Sequence, residues 1–129
     1  MKARRGWALV CSAALLCGCS PSTQLEQDTS GPLKGLDLST ASSAQAEEIE
    51  DRNATADEYR AGFQRYRDCL SSKGFELESV ELSNSVYEYG LPDAAVSDGA
   101  DTQCYDAEFR FVDMLWQTSE EMQEQVAAS

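Results

Sequence analysis

The apolar positions along the chain change period several times, and each change marks an element. Trp7 to Leu16 is a largely apolar run of ten residues. From Ser20 to about Ser43 the chain is polar, with Leu33, Leu36 and Leu38 as a small apolar patch able to dock on a neighbour. Ala56, Tyr59, Phe63, Tyr66 and Leu70 then recur at helical spacing and form one stripe. Thr55-Ala56-Asp57-Glu58 has the pattern of a capping box at the start of that helix. Lys73 and Gly74 suit its C-terminal end. Phe75 to Leu82 alternates, but its apolar parity switches near Ser79, as in a strand carrying a bulge. Ser83-Asn84-Ser85 is a turn, and Val86-Tyr87-Glu88-Tyr89 a second strand ended by Gly90. Pro92 opens a short helical turn through Val96, closed by Asp98-Gly99. A last helix is expected from Asp101, as N-cap, to about Val126. It carries two stripes, Tyr105, Phe109, Val112, Trp116 and Cys104, Phe111, Leu115, Met122, which need two neighbours to cover them.

The fold class expected is α+β, with two long antiparallel helices flanking a β-hairpin and one disulfide. Every aromatic residue except Trp7 lies between Tyr59 and Trp116, so the core belongs there. The chain divides into a signal segment at 1–18, a flexible tether at 19–50 and a small domain at 51–129. Glu47-Glu48-Ile49-Glu50-Asp51 leads into that domain as helix or solvated coil. A domain this small usually needs a covalent staple.

The N-terminal run is too short to span a bilayer, which takes about 20 helical residues. Lys2, Arg4 and Arg5 before it give the flanks of a cleaved export signal. Arg4-Arg5 also hints at twin-arginine export, but the rest of that motif is poor. Leu16-Cys17-Gly18-Cys19 closes the run and resembles a bacterial lipobox. Cleavage before Cys19 places small Gly18 at the scissile bond, whereas cleavage before Cys17 places bulky Leu16 there. The resemblance implies that Cys19 is the lipidated residue and the mature N-terminus. Cys69 and Cys104 then remain, and in an oxidising compartment two such cysteines read as a disulfide. Closing their loop contributes a chain-entropy term of roughly 3–4 kcal/mol. The competing reading, free or metal-binding thiols, lacks a histidine to complete a site.

Tyr59 to Gly74 and Cys104 to Gln117 resemble small secreted or lipid-anchored proteins of actinobacteria. The shared features are an aromatic helix ending in Cys69 and Gly74-Phe75, and a tyrosine-rich strand from Tyr87 to Pro92. Cys-Tyr-x-x-Glu-Phe follows at Cys104 to Phe109, then Val-Asp-x-x-Trp-Gln at Val112 to Gln117. The resemblance covers about half the chain. It implies the disulfide and the lipid anchor and assigns no activity.

Charge and composition narrow the chemistry. The formal charge is −13, and residues 1–18 hold cations but no acid, so the remainder is more negative still. That disfavours nucleic acid, whose phosphates require a basic surface. With no histidine, the commonest general base is missing. The serines have no evident base partner, and neither a nucleophile elbow nor a phosphate-cradling glycine loop occurs. No catalytic, cofactor-binding or metal-binding residue is therefore assigned, and no cofactor is expected. Asp98 and Asp101 with Asp106 offer oxygen ligands for calcium, but their spacing departs from the calcium-loop pattern and a turn followed by an N-cap explains them. Tyr87 and Tyr89 share one strand face, as half-buried packing or as a contact patch. The expected function is a non-enzymatic binding or interaction module of the cell envelope. It would sit on the extracytoplasmic face of the cell membrane, held by its N-terminal lipid and facing another envelope protein or a cell-wall component. The alternative is a calcium-dependent module or a carboxylate-based hydrolase.

If the disulfide ties the end of the first long helix to the start of the last, and the two pack side by side, they run antiparallel. At about 100° per residue, the arginine flank of the first helix then meets the aspartate flank of the last. This register pairs Arg67 with Asp106 and Arg60 with Asp113; the alternative reading is that these are unrelated solvated charges. Between them it brings Phe63 to Phe109 and Tyr59 to Val112 or Trp116.

Overall fold

Helix α2 (Ala56–Ser72) is the longest element of the computed structural model, which describes residues 31–129. It starts where the capping box places it. Thr55 Oγ1 accepts from the Glu58 N–H at 3.3 Å, and Glu58 Oε2 accepts from the Thr55 N–H at 2.8 Å. It stops at Gly74, whose φ of 87° lets the chain turn away at low steric cost. Before it lies α1 (Ser43–Glu48), preceded by a single 3-10 turn at Leu38–Thr40. After it come the strands β1 (Glu78–Ser83) and β2 (Val86–Gly90), paired antiparallel. Then follow α3 (Asp93–Ser97), α4 (Ala100–Glu108), α5 (Arg110–Gln117) and α6 (Glu120–Ala127). Among the described residues the class is α+β, with one hairpin and one disulfide.

The hairpin has the expected irregularity. Its register shifts between Glu78 and Glu81, and Ser79 sits at φ 50°. Asn84 and Ser85 are both left-handed, at φ 49° and 64°, the backbone of a two-residue turn that matches the strand twist. The Trp116 indole holds this turn by donating to the Ser85 carbonyl at 2.7 Å.

The second long helix is not continuous. Its expected span is divided among α4, α5 and α6, with breaks at Phe109 and at Thr118–Ser119. Ser119 caps α6, its hydroxyl accepting from the Met122 N–H at 3.1 Å. Asp101 is not the N-cap of α4. Gly99, at φ 74°, holds that position, and the Asp101 carboxylate instead accepts from Tyr66. Side-chain partners still run in opposite order along α2 and α4–α5. Cys69 meets Cys104, Phe63 meets Phe109 and Tyr59 meets Trp116, so these helices are antiparallel.

The segment from residue 31 to residue 50, expected to be flexible tether, is packed on the domain. Leu33, Gln45 and Ile49 are buried, and Leu36 and Leu38 rest against the same core. The small apolar patch therefore docks, and the acidic lead-in after it is partly the helix α1. The reason is coverage: α4 and α5 present apolar surface on two sides, and α2 with the hairpin covers only part of it. Tyr59, Phe63 and Tyr66 of α2 meet Phe109 and Trp116 in the centre. Burial of each such ring contributes roughly 1.5–3 kcal/mol.

Candidate functional site

Three groups of polar side chains are held inside this fold, and each joins elements far apart in sequence. The first is Gln45 on α1, fully buried. Its Nε2 donates to the carbonyls of Asp106 (2.9 Å) and Ala107 (2.8 Å). Its Oε1 accepts from the N–H groups of Phe111 (2.8 Å) and Val112 (3.3 Å). One amide thus satisfies the carbonyl end of α4 and the N–H end of α5, groups that a helix terminus otherwise leaves open. Ser42 adds its N–H to the Ala107 carbonyl at 2.7 Å. Sequence reasoning missed Gln45, because a glutamine in a polar stretch carries no local sign of burial.

The second group is Arg65, held between Glu48 of α1 and Glu108 of α4. Its Nη1 donates to Glu48 Oε1 at 2.8 Å, and its Nε to Glu108 Oε2 at 3.2 Å. The Ser42 hydroxyl also donates to Glu108 Oε2, at 2.9 Å. Burial alone would lower the Arg65 pKa, but the Glu48 and Glu108 carboxylates more than offset this and leave it raised. Glu48 and Glu108 are thereby engaged with a cation.

The third group is a set of tyrosines under the hairpin. Tyr66 donates to Asp101 Oδ1 and Tyr105 to Asp113 Oδ2, each at 2.6 Å. Gln117 Nε2 donates to the other Asp113 oxygen at 2.8 Å. The Tyr59 hydroxyl accepts from the Tyr87 N–H at 3.0 Å. Burial pushes the phenol pKa of Tyr59 up. Burial and then the bond to Asp101 do the same for Tyr66, and burial and then the bond to Asp113 for Tyr105. Burial also raises Tyr89. All four stay neutral near pH 7, as hydrogen-bonding groups with no basic or nucleophilic character. Tyr87 stacks on Phe63 with ring centroids 3.9 Å apart, and Tyr89 leans on Phe63 and Tyr66. The hairpin tyrosines are half-buried packing.

The residues singled out by sequence are distributed as follows. Cys69 and Cys104 form the disulfide, with Cα atoms 5.6 Å apart, joining the last turn of α2 to α4. Cys19 lies outside the described residues. Asp98, Asp101 and Asp106 are not brought together. Asp98 follows α3, Asp101 takes the Tyr66 hydroxyl, and Asp106 takes Arg110 at 3.2 Å. Among the described residues no three acidic or cysteine side chains converge in a metal-ligating group. The expected cross-helix ion pairs do not form either. Arg60 pairs with Asp57 at 3.1 Å, within its own helix, and Asp113 is taken by Tyr105 and Gln117. Nearer partners take these groups first: Asp57 lies one turn from Arg60 and Arg110 one turn from Asp106, while Tyr105 and Gln117 occupy the two Asp113 oxygens.

The surface holds a shallow depression lined by Ala56, Tyr59, Arg60, Leu82, Ser85, Trp116 and Gln125. Its empty volume of about 180 Å³ includes open solvent. Leu82 at its rim is exposed, as are Val96 and Val126 elsewhere. No helix among the described residues is long and apolar enough to cross a membrane. No protein-family model, curated protein or solved structure matches the chain.

Proposed function

We propose that this chain is a non-enzymatic lipoprotein module, tethered through Cys19 to the extracytoplasmic face of the cell membrane. In this reading its α+β domain meets another envelope protein or a cell-wall component. The observation that carries the proposal is Leu16-Cys17-Gly18-Cys19 at the end of a ten-residue apolar run preceded by Lys2, Arg4 and Arg5. The Cys69–Cys104 disulfide supports it, since such bonds persist mainly in oxidising compartments. The non-enzymatic part of the reading draws on the pairing of interior polar groups with one another. The Asp101 and Asp113 carboxylates and the Arg65 guanidinium are each committed to partners within the fold. The negative net charge favours partners that are neutral or basic.

The test is metabolic labelling with a fatty acid in cells expressing the full chain. The wild type is expected to take up label and to fractionate with membranes, and Cys19→Ala to lose the label and be released or stall as precursor. An unlabelled wild type overturns the anchor. A Cys19→Ala variant that still labels moves the site to Cys17.

A further inference from the structure

The groups that Gln45 holds are ones that a continuous helix would satisfy by itself. In an uninterrupted α-helix the Phe111 N–H bonds to the Ala107 carbonyl, and the Val112 N–H to the Glu108 carbonyl. The Asp106 carbonyl takes the Arg110 N–H. Residues 101–117 contain neither glycine nor proline, so nothing in their own sequence forces a break. At Phe109 the backbone nevertheless leaves the helix, with φ −139° and ψ −35°. The bonds that replace the missing ones come from outside α4 and α5. They are the Gln45 amide, the Ser42 N–H on Ala107, and Arg65 Nη2 on the Glu108 carbonyl at 3.3 Å.

Two of these three come from the segment 42–49. Its helix has six residues, too few to persist alone, and Ile49 and the Glu48–Arg65 pair hold it in place. The far end of α5 carries Trp116, whose indole holds the hairpin turn through the Ser85 carbonyl. A change of angle at Phe109 swings Trp116, and with it the surface made by Leu82, Ser85 and Trp116.

We infer that the α4–α5 junction is a two-state joint latched by Gln45. With the segment 42–49 seated, the joint is bent and Trp116 fastens the hairpin turn. With the segment withdrawn, α4 and α5 join into one helix and Trp116 leaves Ser85. The seating of the N-terminal segment thus sets the shape of the hairpin surface on the other side of the domain. The inference does not depend on a lipid at Cys19.

The test is nuclear magnetic resonance of the full chain, with the disulfide intact, as wild type and as Gln45→Ala. In the variant the Cα shifts of Phe109 and Arg110 are expected to move to helical values. The Phe111 amide keeps its protection from exchange, now through Ala107, while the Trp116 indole N–H loses its protection. Unchanged Phe109 shifts, with Phe111 and Val112 amides exposed, overturn the joint: Gln45 is then only a plug in a fixed bend. If Gln45→Ala does not fold, native-state hydrogen exchange on the wild type decides. The Ile49 amide and the Trp116 indole should then open together, while Phe63 and Tyr66 amides in α2 stay closed. Separate opening of the two, or opening only with global unfolding, overturns the inference.

Discussion

The hydroxyl of Tyr66 donates to Asp101 Oδ1 over 2.6 Å, so a residue suited to cap α4 instead fastens it to the middle of α2. Tyr66 is fully buried and Asp101 half-buried. Tyr66→Phe removes the donor and keeps the ring packing. The variant is expected to lose about 1–2 kcal/mol, toward the low end for bonds to charged groups because Asp101 retains some water. Urea unfolding of both proteins measures this. An unchanged midpoint would show that the bond has no net value.

The disulfide closes a loop of 35 residues in sequence, and its loss is expected to cost about 3–4 kcal/mol. For a domain of this size that lowers Tm by at least about 10 °C. Calorimetry with and without reductant, and on the Cys69→Ser/Cys104→Ser double variant, gives the value. Thiols that alkylate in the unreduced native protein would contradict the bond itself.

The buried phenols make stability fall at high pH. Tyrosines in an unfolded chain ionise near pH 10, and those of Tyr59, Tyr66, Tyr89 and Tyr105 are raised in the fold, by burial first in each case. Above about pH 10 the unfolded chain therefore binds fewer protons than the folded one, and stability declines as pH rises. Below that value these residues contribute fully, and their contribution is flat. Urea midpoints from about pH 8 to about pH 11 should show a plateau and then a fall, with the tyrosinate absorbance of these four phenols appearing only on unfolding. Early ionisation of these phenols in folded protein would contradict their burial.

Gly62 lies where α2 meets the bend. A Cβ there would stand 3.2 Å from Phe109 Cδ2 and 3.4 Å from the Glu108 carbonyl oxygen. Phe109 has little room to retreat in the bent state, since the rings of Tyr59, Phe63, Tyr66 and Tyr105 surround it. Gly62→Ala sets a helix-propensity gain of about 1 kcal/mol against this contact and should come out close to neutral. Gly62→Leu has no room and is expected to destabilise by about 1–3 kcal/mol. A leucine variant as stable as wild type would mean that α2 and α4 are less closely packed than these distances imply.

Local chemistry wrote much of this fold into the sequence. The Thr55–Glu58 capping box, the Gly74 stop, the bulge near Ser79 and the turn at Asn84–Ser85 each involve residues a few positions apart, so they are readable as short patterns. The pairing of Cys69 with Cys104 was legible too, and it fixed the antiparallel sense of the helices and the meetings of Phe63 with Phe109 and Tyr59 with Trp116. The polar joints were not legible. Gln45 reaches Phe111 across 66 residues, and Arg65 reaches Glu108 across 43. No spacing rule connects such positions, because their contact depends on where α1 comes to rest. The ion pairs expected for Arg60 and Arg67 failed because Asp57, Arg110, Tyr105 and Gln117 lie nearer to the charged groups concerned. They assumed a straight last helix, and the apolar stripes on 101–117 do run in phase as if it were one. Sequence by itself determined α2, the hairpin, the apolar stripes of 101–117 and the covalent staple, which arise from local sterics and burial. The tertiary structure alone decided that the last helix bends at Phe109, because the groups satisfying its open backbone are donated by a segment from the other end of the domain.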